Sequence, residues 1–179
     1  MNKAKNVTPL NEASLNELAL TYVARFATSR AKLIAYLLRK IRERGWDGEK
    51  RHDVEAIADR MVELRYIDDA AYAAMKAGSL VRRGYGKRRL GDIYYRDGIA
   101  EDDRGDANQI AEAGRWEAAI AFARKKRIGS FALEEADPDR KRKQLAAFLR
   151  AGHDMEIARQ LVALPPGADI EAIKPDEGD

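Results

Sequence analysis

The sequence predicts an all-α protein made of three tandem three-helix repeats that form an elongated, curved helical array. Apolar residues recur at spacings of three and four along most of the 179 residues, which is the pattern of one buried helix face. No stretch alternates like a strand over more than a few residues. Gly45, Gly98 and Gly152 each close a helix that starts with basic residues, and they stand 53 and 54 residues apart. Units of this kind stack side by side and leave a long, curved surface.

The regular spacing of the three glycines divides the chain into five segments. We expect a flexible N-terminal arm at residues 1–13, followed by helical repeats at 14–66, 67–113 and 114–164. Residues 165–179 begin with a Pro-Pro pair and are rich in acidic side chains. Such a composition cannot bury enough apolar surface to fold, so this last segment is predicted to be a disordered acidic tail.

The first repeat contains three helix starts. Ser14 and Glu17 have the spacing of a capping box, which predicts a helix starting at Ser14. A Thr-Ser pair at 28–29 caps the second helix, and Gly45 ends it. The third helix is predicted to begin at about Asp53. Each helix carries an apolar stripe, so the three can share one core.

The second repeat is centred on a Gly-Tyr-Gly elbow at residues 84–86. Two aspartates at 68–69 start the helix before the elbow, and two arginines at 82–83 end it. The next helix is predicted over 87–98, opening on three cations and closing on glycine. Residues 100–113 are expected to form the sixth helix, although clustered aspartates and a glycine interrupt its pattern.

The third repeat follows the same plan. A seventh helix is predicted over 116–127, and it ends in four cations that suit the negative end of a helix dipole. Asp137 followed by Pro138 is typical of an N-cap and first helical position, and Gly152 closes the helix that they start. The ninth helix contains the apolar residues of 157–164.

Charge is unevenly distributed along the chain. The net charge of +3 combines +7 between Ser29 and Arg96 with −4 in the remainder. Because salt screens each charge within about 10 Å, this local excess matters more for partners than the total. It favours a polyanion or an acidic protein, and the alternative is a set of solvated helix faces. The chain also lacks cysteine, an apolar N-terminal core and a long apolar run, which predicts a soluble cytoplasmic protein without membrane contact.

Patterns for catalysis are weak. Neither His52 nor His153 has a histidine or carboxylate four residues on to make a metal pair. The acidic run at 101–106 fits a helix N-terminus, which attracts carboxylates without a metal. The Gly-rich run at 84–87 lacks the first glycine, the Ser or Thr and the preceding strand of a Walker phosphate loop. We therefore expect no enzyme activity, cofactor, metal or small-molecule substrate.

Binding chemistry is concentrated around the elbow. Arginine forks suit phosphates or carboxylates, and tyrosines stack on bases or pack at protein interfaces. Basic clusters occupy the second helix of each repeat, so we expect one continuous basic band across all three. The candidate residues for binding a partner or nucleic acid are Arg30, Lys32, Arg39, Lys40, Arg82, Arg83, Tyr85, Lys87, Arg88, Arg89, Arg140, Lys141, Arg142 and Lys143.

Three segments occur together, in this order and spacing, in a bacterial family. They read ARFATSRAKLIAYLLRKIRERGW, RMVELRYIDDAAYAAMKAGSLVRRGYGKRRL and DPDRKRKQLAAFLRAGH. The most specific feature is the turn at Tyr66–Asp69 followed by the arginine-glycine elbow. The chain resembles the RecX regulatory proteins from about Leu15 to Leu164, with both ends outside the similarity.

This resemblance implies an all-helical array of three repeats in a protein that is not an enzyme. It also implies binding to the filament that the RecA recombinase forms on single-stranded DNA. Members of the family are thought to lie in the filament groove, suppress ATP hydrolysis and strand exchange, and favour disassembly. DNA phosphate would then be within reach of the same basic residues.

Two other functions fit the sequence. The chain could be an autonomous nucleic-acid-binding module without a RecA target, in which case its DNA affinity would fall steeply with salt. It could also be a passive helical adaptor for another acidic protein. The first is our runner-up, because the basic clusters alone are sufficient for it.

Overall fold

The computed structural model describes residues 8–174, and all the regular elements in this range are helices, which confirms the all-α class. Within this range no helix is long and apolar enough to span a membrane. The α-helices are α1 (Glu12–Arg25), α2 (Arg30–Arg44), α3 (Val54–Glu63), α4 (Asp69–Arg82), α5 (Arg88–Asp97), α6 (Gly105–Ala113), α7 (Arg115–Lys126), α8 (Pro138–Arg150) and α9 (Met155–Ala163). Short 3-10 helices lie at Glu101–Arg104, Gly129–Phe131 and Glu171–Ile173.

The buried residues form three separate cores in chain order. Helices α1–α3 enclose the first, α4–α6 the second and α7–α9 the third. The largest fully buried side chains are Leu10, Leu15, Leu33 and Leu37 in the first core, Leu90 and Ile99 in the second, and Phe148 and Leu161 in the third. This succession is compatible with three three-helix repeats, whose boundaries stay a prediction.

Four α-helices start at the capping residues that the sequence shows. The side chains of Ser29, Asp53, Asp68 and Asp137 each accept a hydrogen bond from the backbone N–H three residues on. Such a bond satisfies one of the donors that a helix start leaves unpaired. The starts of α2, α3, α4 and α8 are therefore fixed by local chemistry.

The first helix begins before the position that the Ser14–Glu17 pair predicts. Asn11 is its N-cap, and Asn11 Oδ1 accepts a hydrogen bond from the Ser14 N–H at 3.0 Å. The Ser14 hydroxyl accepts one in return from the Asn11 N–H at 2.9 Å. The prediction was wrong because Ser14 occupies the third helical position of the capping box, which the usual pattern gives to Glu or Gln.

The flexible arm predicted for residues 1–13 is wrong where the structure describes it. Leu10 is fully buried in the first core. Its N–H donates to the Gly45 carbonyl at 3.0 Å, and its own carbonyl accepts from the Asp47 N–H at 2.8 Å. The chain entering α1 is thus anchored to the end of α2. The rest of the predicted arm, residues 1–7, lies outside the described residues.

The sixth helix is divided into two parts. Residues 101–104 form a 3-10 helix, and α6 follows from Gly105. The Arg104 guanidinium donates two hydrogen bonds to the Ile99 carbonyl, at 3.2 and 2.8 Å, and lies 4.9 Å from the centre of the Tyr94 ring. These contacts hold the connection against the second core while the backbone changes from one helix type to the other.

The elbow forms the junction between the second and third cores. Gly84 has φ +76°, and a Cβ there would come within 2.9 Å of the Phe122 backbone nitrogen. The Gly86 N–H donates to the Ala151 carbonyl at 3.0 Å, and the Arg88 N–H donates to the Gly152 carbonyl at 3.2 Å. The elbow glycines therefore allow close backbone packing between the second and third cores.

The disordered tail predicted for residues 165–179 is wrong where the structure describes it. The Gly167 N–H donates to the Ser130 carbonyl at 2.9 Å, and the Ser130 hydroxyl donates to the Ala168 carbonyl. Ile170 and Ile173 pack against the third core. The segment is therefore held by two apolar residues spaced three apart and by hydrogen bonds to Ser130. Residues 175–179 lie outside the described residues.

Candidate functional site

A cleft between α4 and α5 collects four cationic side chains. Lys76 lines it from α4 and Arg83 from the residue that caps the end of that helix, while Arg89 and Arg96 line it from α5. Its volume is about 270 Å³, and the carboxylate on its wall is Asp92, so its lining has a formal charge of +3. An anion in this cleft would meet cations from two helices at once.

Helical periodicity places these cations. Lys76 and Arg83 are seven residues apart on α4, as are Arg89 and Arg96 on α5, and seven residues are about two helical turns. Side chains with this spacing share one helix face. The elbow joins the end of α4 to the start of α5, which sets the two faces beside each other around the cleft.

Two guanidinium groups of the cleft lie close to the ring of Tyr85. The Arg83 and Arg89 guanidinium carbons lie 5.4 and 5.9 Å from the centre of its ring, within the range of cation–π attraction. Arg89 Nη1 also lies 3.1 Å from Asp92 Oδ2. The ring itself packs against the third core. Tyr85 therefore orients the arginines of the cleft from a half-buried position.

Asp97 holds another cation of the cleft in place. Its buried carboxylate accepts hydrogen bonds from Arg96 Nε at 2.7 Å, Arg96 Nη2 at 3.1 Å and the Tyr72 hydroxyl at 2.8 Å. Lys32 Nζ lies 3.6 Å away. Burial raises the pKa of Asp97, but these hydrogen bonds and cations outweigh it and lower the pKa below its usual value. The carboxylate is therefore ionised, and it fixes the guanidinium of Arg96.

The same region joins the first core to the second. The Ser29 hydroxyl donates to the Asp97 carbonyl at 2.5 Å, and the Arg30 N–H donates to Asp69 Oδ1 at 2.8 Å. Ser29 is fully buried. Burial also raises the pKa of Asp69, against the hydrogen bond from Arg30. The start of α2 is thus bound to α4 and to the end of α5, beside the cleft.

The predicted binding residues fall into three groups. Arg83, Tyr85 and Arg89 line the cleft. Seven predicted residues lie outside the cleft and pair with an acidic side chain. They are Arg30 with Asp59, Lys32 with Asp97, Arg39 and Lys40 with Glu43, Lys87 with Glu112, Lys141 with Glu135, and Arg142 with Asp139. Those that are exposed and have no side-chain partner among residues 8–174 are Arg82, Arg88, Arg140 and Lys143. A continuous basic band stays a prediction.

Two cleft residues were missed by the sequence analysis, Lys76 and Arg96. Both are single cations outside the runs of basic residues on which the prediction relied. Their seven-residue spacing from Arg83 and Arg89 is visible in the sequence. It would have identified them once α4 and α5 were assumed to face each other across the elbow.

Both histidines contact aromatic rings. The His52 ring meets Trp46 edge-on, with 5.6 Å between ring centres. His153 is buried between Phe122 and Phe148, and its Nε2 lies 3.2 Å from the Gly84 carbonyl oxygen. Burial lowers the pKa of His153 below its ordinary value, despite that hydrogen bond. The imidazole of His153 is therefore neutral, and it packs at the junction between the elbow and the third core.

The fold and the cleft define a helical protein with a cationic contact surface, and similar sequences give its family. The chain is 32% identical to the regulatory protein RecX of Myxococcus xanthus over 160 residues, which are 85% of this chain and 86% of that protein. It is 33% identical to the RecX of Agrobacterium fabrum over 132 residues, covering 72% and 70% of the two chains. The chain belongs to the RecX family of regulatory proteins.

Two further comparisons agree with this assignment. The RecX of a Mycobacterium species is 27% identical over 171 residues, 91% of this chain and 90% of that protein. A crystal structure of regulatory protein RecX superposes with a TM-score of 0.59 at 18% identity, over 84% of this chain and 70% of that one. This likeness shows the shared fold. No model of a known protein family matches the chain.

Proposed function

We propose that this chain binds the filament of RecA on single-stranded DNA and inhibits its ATPase and strand-exchange activities. It would thereby modulate recombination and DNA repair in the cytoplasm. The observation that carries the proposal is the cationic cleft at the elbow, in a chain that belongs to a family of regulatory proteins. The proposal requires no cofactor, metal, membrane or small-molecule substrate.

The chemistry of the elbow supports an acidic partner. Guanidinium groups donate in pairs to carboxylates and phosphates, so the same arginines can contact acidic protein side chains or DNA phosphates. Arg82 and Arg88 are exposed and have no side-chain partner among residues 8–174, so neither gives up an ion pair on binding. They extend the positive surface from the cleft along both helices.

The ATPase activity of RecA on single-stranded DNA tests the proposal. We expect the wild-type chain to inhibit hydrolysis at stoichiometric ratios. Changing Arg82, Arg83, Arg88 and Arg89 to Glu should abolish inhibition, because the elbow would then repel an acidic surface. These side chains are exposed, so helical content measured by circular dichroism should be unchanged.

A matched variant controls for net charge. Arg60 and Arg65 with Arg127 and Arg159 are also exposed, and changing all four to Glu alters the total charge equally. This control should inhibit RecA as the wild type does. If the wild-type chain leaves the ATPase rate unchanged at stoichiometric excess, or if both variants lose inhibition together, the elbow is not the contact surface that we propose.

The second candidate is an autonomous nucleic-acid-binding protein. The exposed, unpaired Arg82 and Arg88 favour it, since they are available to phosphates without any RecA. It predicts an affinity for naked DNA that falls by about one power of salt concentration per phosphate contacted. If DNA binding is salt-insensitive, or absent at the concentrations that inhibit RecA, this candidate is eliminated.

A further inference from the structure

The outer face of α5 exposes an aromatic ring. The side chain of Tyr95 is 92% exposed, the largest value among the exposed large hydrophobic residues in the described part of the chain. No other ring and no cation contacts it there, whereas the rings of Tyr72, Tyr85 and Tyr94 each lie under a cation. A tyrosine held this far into water presents both faces of its ring to a ligand.

Its surroundings keep the ring accessible. Long side chains on a helix lean toward the preceding turn, so the surface next to Tyr95 belongs to residues three and four positions earlier. One of these is Gly91, and a Cβ built there would meet no atom within 4 Å. The other is Asp92, which is engaged with Arg89. Nothing on α5 therefore covers the ring of Tyr95.

The ring lies next to the cationic cleft. Arg96 lines the cleft and follows Tyr95 directly, so the two side chains are about 100° apart around the helix axis. Arg88, seven residues before Tyr95, lies on the same side as the ring and is exposed. A ligand crossing α5 would meet the cationic cleft and then the flat face of an aromatic ring.

We propose that α5 binds one nucleotide unit of a single-stranded nucleic acid, with a phosphate in the cleft and the base stacked on Tyr95. Single strands are bound by combining a positively charged groove with aromatic side chains on which bases stack. A duplex would satisfy only the cleft, because its bases are already stacked and paired. An acidic protein would likewise use the cations but gain little from an open ring. The proposal rests on the proposed function, since it assigns the DNA contact within it.

The test is direct binding to oligonucleotides in the absence of RecA. A fluorescein-labelled thymidine oligomer and an abasic oligomer of equal length carry the same phosphates, and anisotropy gives both dissociation constants. For the wild type we expect base removal to weaken binding roughly 5- to 100-fold, the range for one stacked base. For Tyr95→Ala the thymidine oligomer should bind as weakly as the abasic one. Tyr95→Phe keeps the ring and should restore the difference.

Cleft variants provide the complementary arm. Lys76→Gln and Arg83→Gln should weaken binding of the thymidine and abasic oligomers by equal factors, because both retain the phosphates. Each change should also reduce the slope of log affinity against log salt by about one. Tyr95→Ala should leave this slope unchanged. Duplex DNA of equal length should be insensitive to Tyr95→Ala.

The proposal is overturned if Tyr95→Ala binds the thymidine oligomer as tightly as the wild type does. It is also overturned if Tyr95→Phe behaves like Tyr95→Ala, or if polyglutamate displaces the thymidine oligomer more readily than an unlabelled one does. Because RecA is absent from the assay, none of these results affects inhibition of the filament. Conversely, a failure to inhibit RecA would leave a base-dependent affinity for the single strand intact.

Discussion

Asp97 shows how one buried residue can serve both stability and the site. Its carboxylate joins Tyr72, Arg96 and Lys32, while its carbonyl receives the Ser29 hydroxyl from the first repeat. A buried charge is tolerated only when it is paired and hydrogen-bonded, which this carboxylate is. The residue therefore links the junction of the first and second cores to the orientation of Arg96 in the cleft.

Replacing Asp97 with Asn should destabilise the fold. The amide cannot match the charge of Arg96, and its NH₂ group cannot accept from both partners. Because the side chain of Arg96 is 64% exposed, the loss should be about 2 kcal/mol, less than for a fully buried pair. Urea unfolding monitored by circular dichroism measures it.

The control for Asp97 is Asp92→Asn. That carboxylate also pairs with an arginine of α5, but it is 67% exposed and should change stability by no more than about 0.5 kcal/mol.

Acid titration adds a second measurement of the contribution of Asp97. Since the folded pKa of Asp97 is lowered, its contribution is complete above about pH 4 and is lost as the pH falls further. If Asp97→Asn and Asp92→Asn are equally stable, the hydrogen bonds around Asp97 do not have the stabilising role that we assign to them.

At the scale of elements, the elbow that we propose as a binding loop also packs two parts of the chain together. A Cβ at position 86 would overlap the backbone of Gly152 and His153, at the turn between α8 and α9. Neither backbone segment can move without disturbing the hydrogen bonds that the elbow makes to Ala151 and Gly152. The absence of a side chain at Gly86 thus lets the elbow dock against the turn between α8 and α9.

Gly86→Ala should therefore destabilise the protein by about 1–3 kcal/mol through overpacking, and thermal unfolding measures the loss. Gly91→Ala is the matched change on the same element. Position 91 is helical, and a Cβ there meets no atom within 4 Å, so alanine should stabilise by about 0.5–1 kcal/mol. Effects of the same sign at both positions would contradict the docking that we describe.

The sequence could predict the elements whose causes are local. Asp53, Asp68 and Asp137 cap helices through bonds to residues three positions on, so their patterns could be read directly. The docking of Gly86 on Gly152 joins residues 66 positions apart, and no local pattern encodes it. Two of the four cations in the cleft were predicted from the sequence. The other two were missed, because the four cations converge only after α4 and α5 are placed side by side.

At the scale of the molecule, the chain is a succession of three cores, and the junctions between them contain buried polar side chains. The first junction contains the buried Ser29 and Asp97, and the second contains the buried His153 against the Gly84 carbonyl. The second junction also includes the ring of Tyr85, which packs against the third core, but the buried residues of the three cores form separate clusters. In arrays of this type each unit has its own stability, to which the neighbouring interface adds. Local opening should therefore respect the boundaries between cores.

Two leucine truncations test this directly. Leu37 is fully buried in the first core and Leu161 is almost fully buried in the third, so Leu37→Ala and Leu161→Ala remove the same atoms from different units. Each should cost about 2–4 kcal/mol locally. Native-state hydrogen exchange should then accelerate in α1–α3 for the first variant and in α7–α9 for the second, with smaller changes in α4–α6. Acceleration of equal size throughout both variants would instead indicate one cooperative unit, in which the cores cannot open separately and the junctions are as strong as the cores they connect.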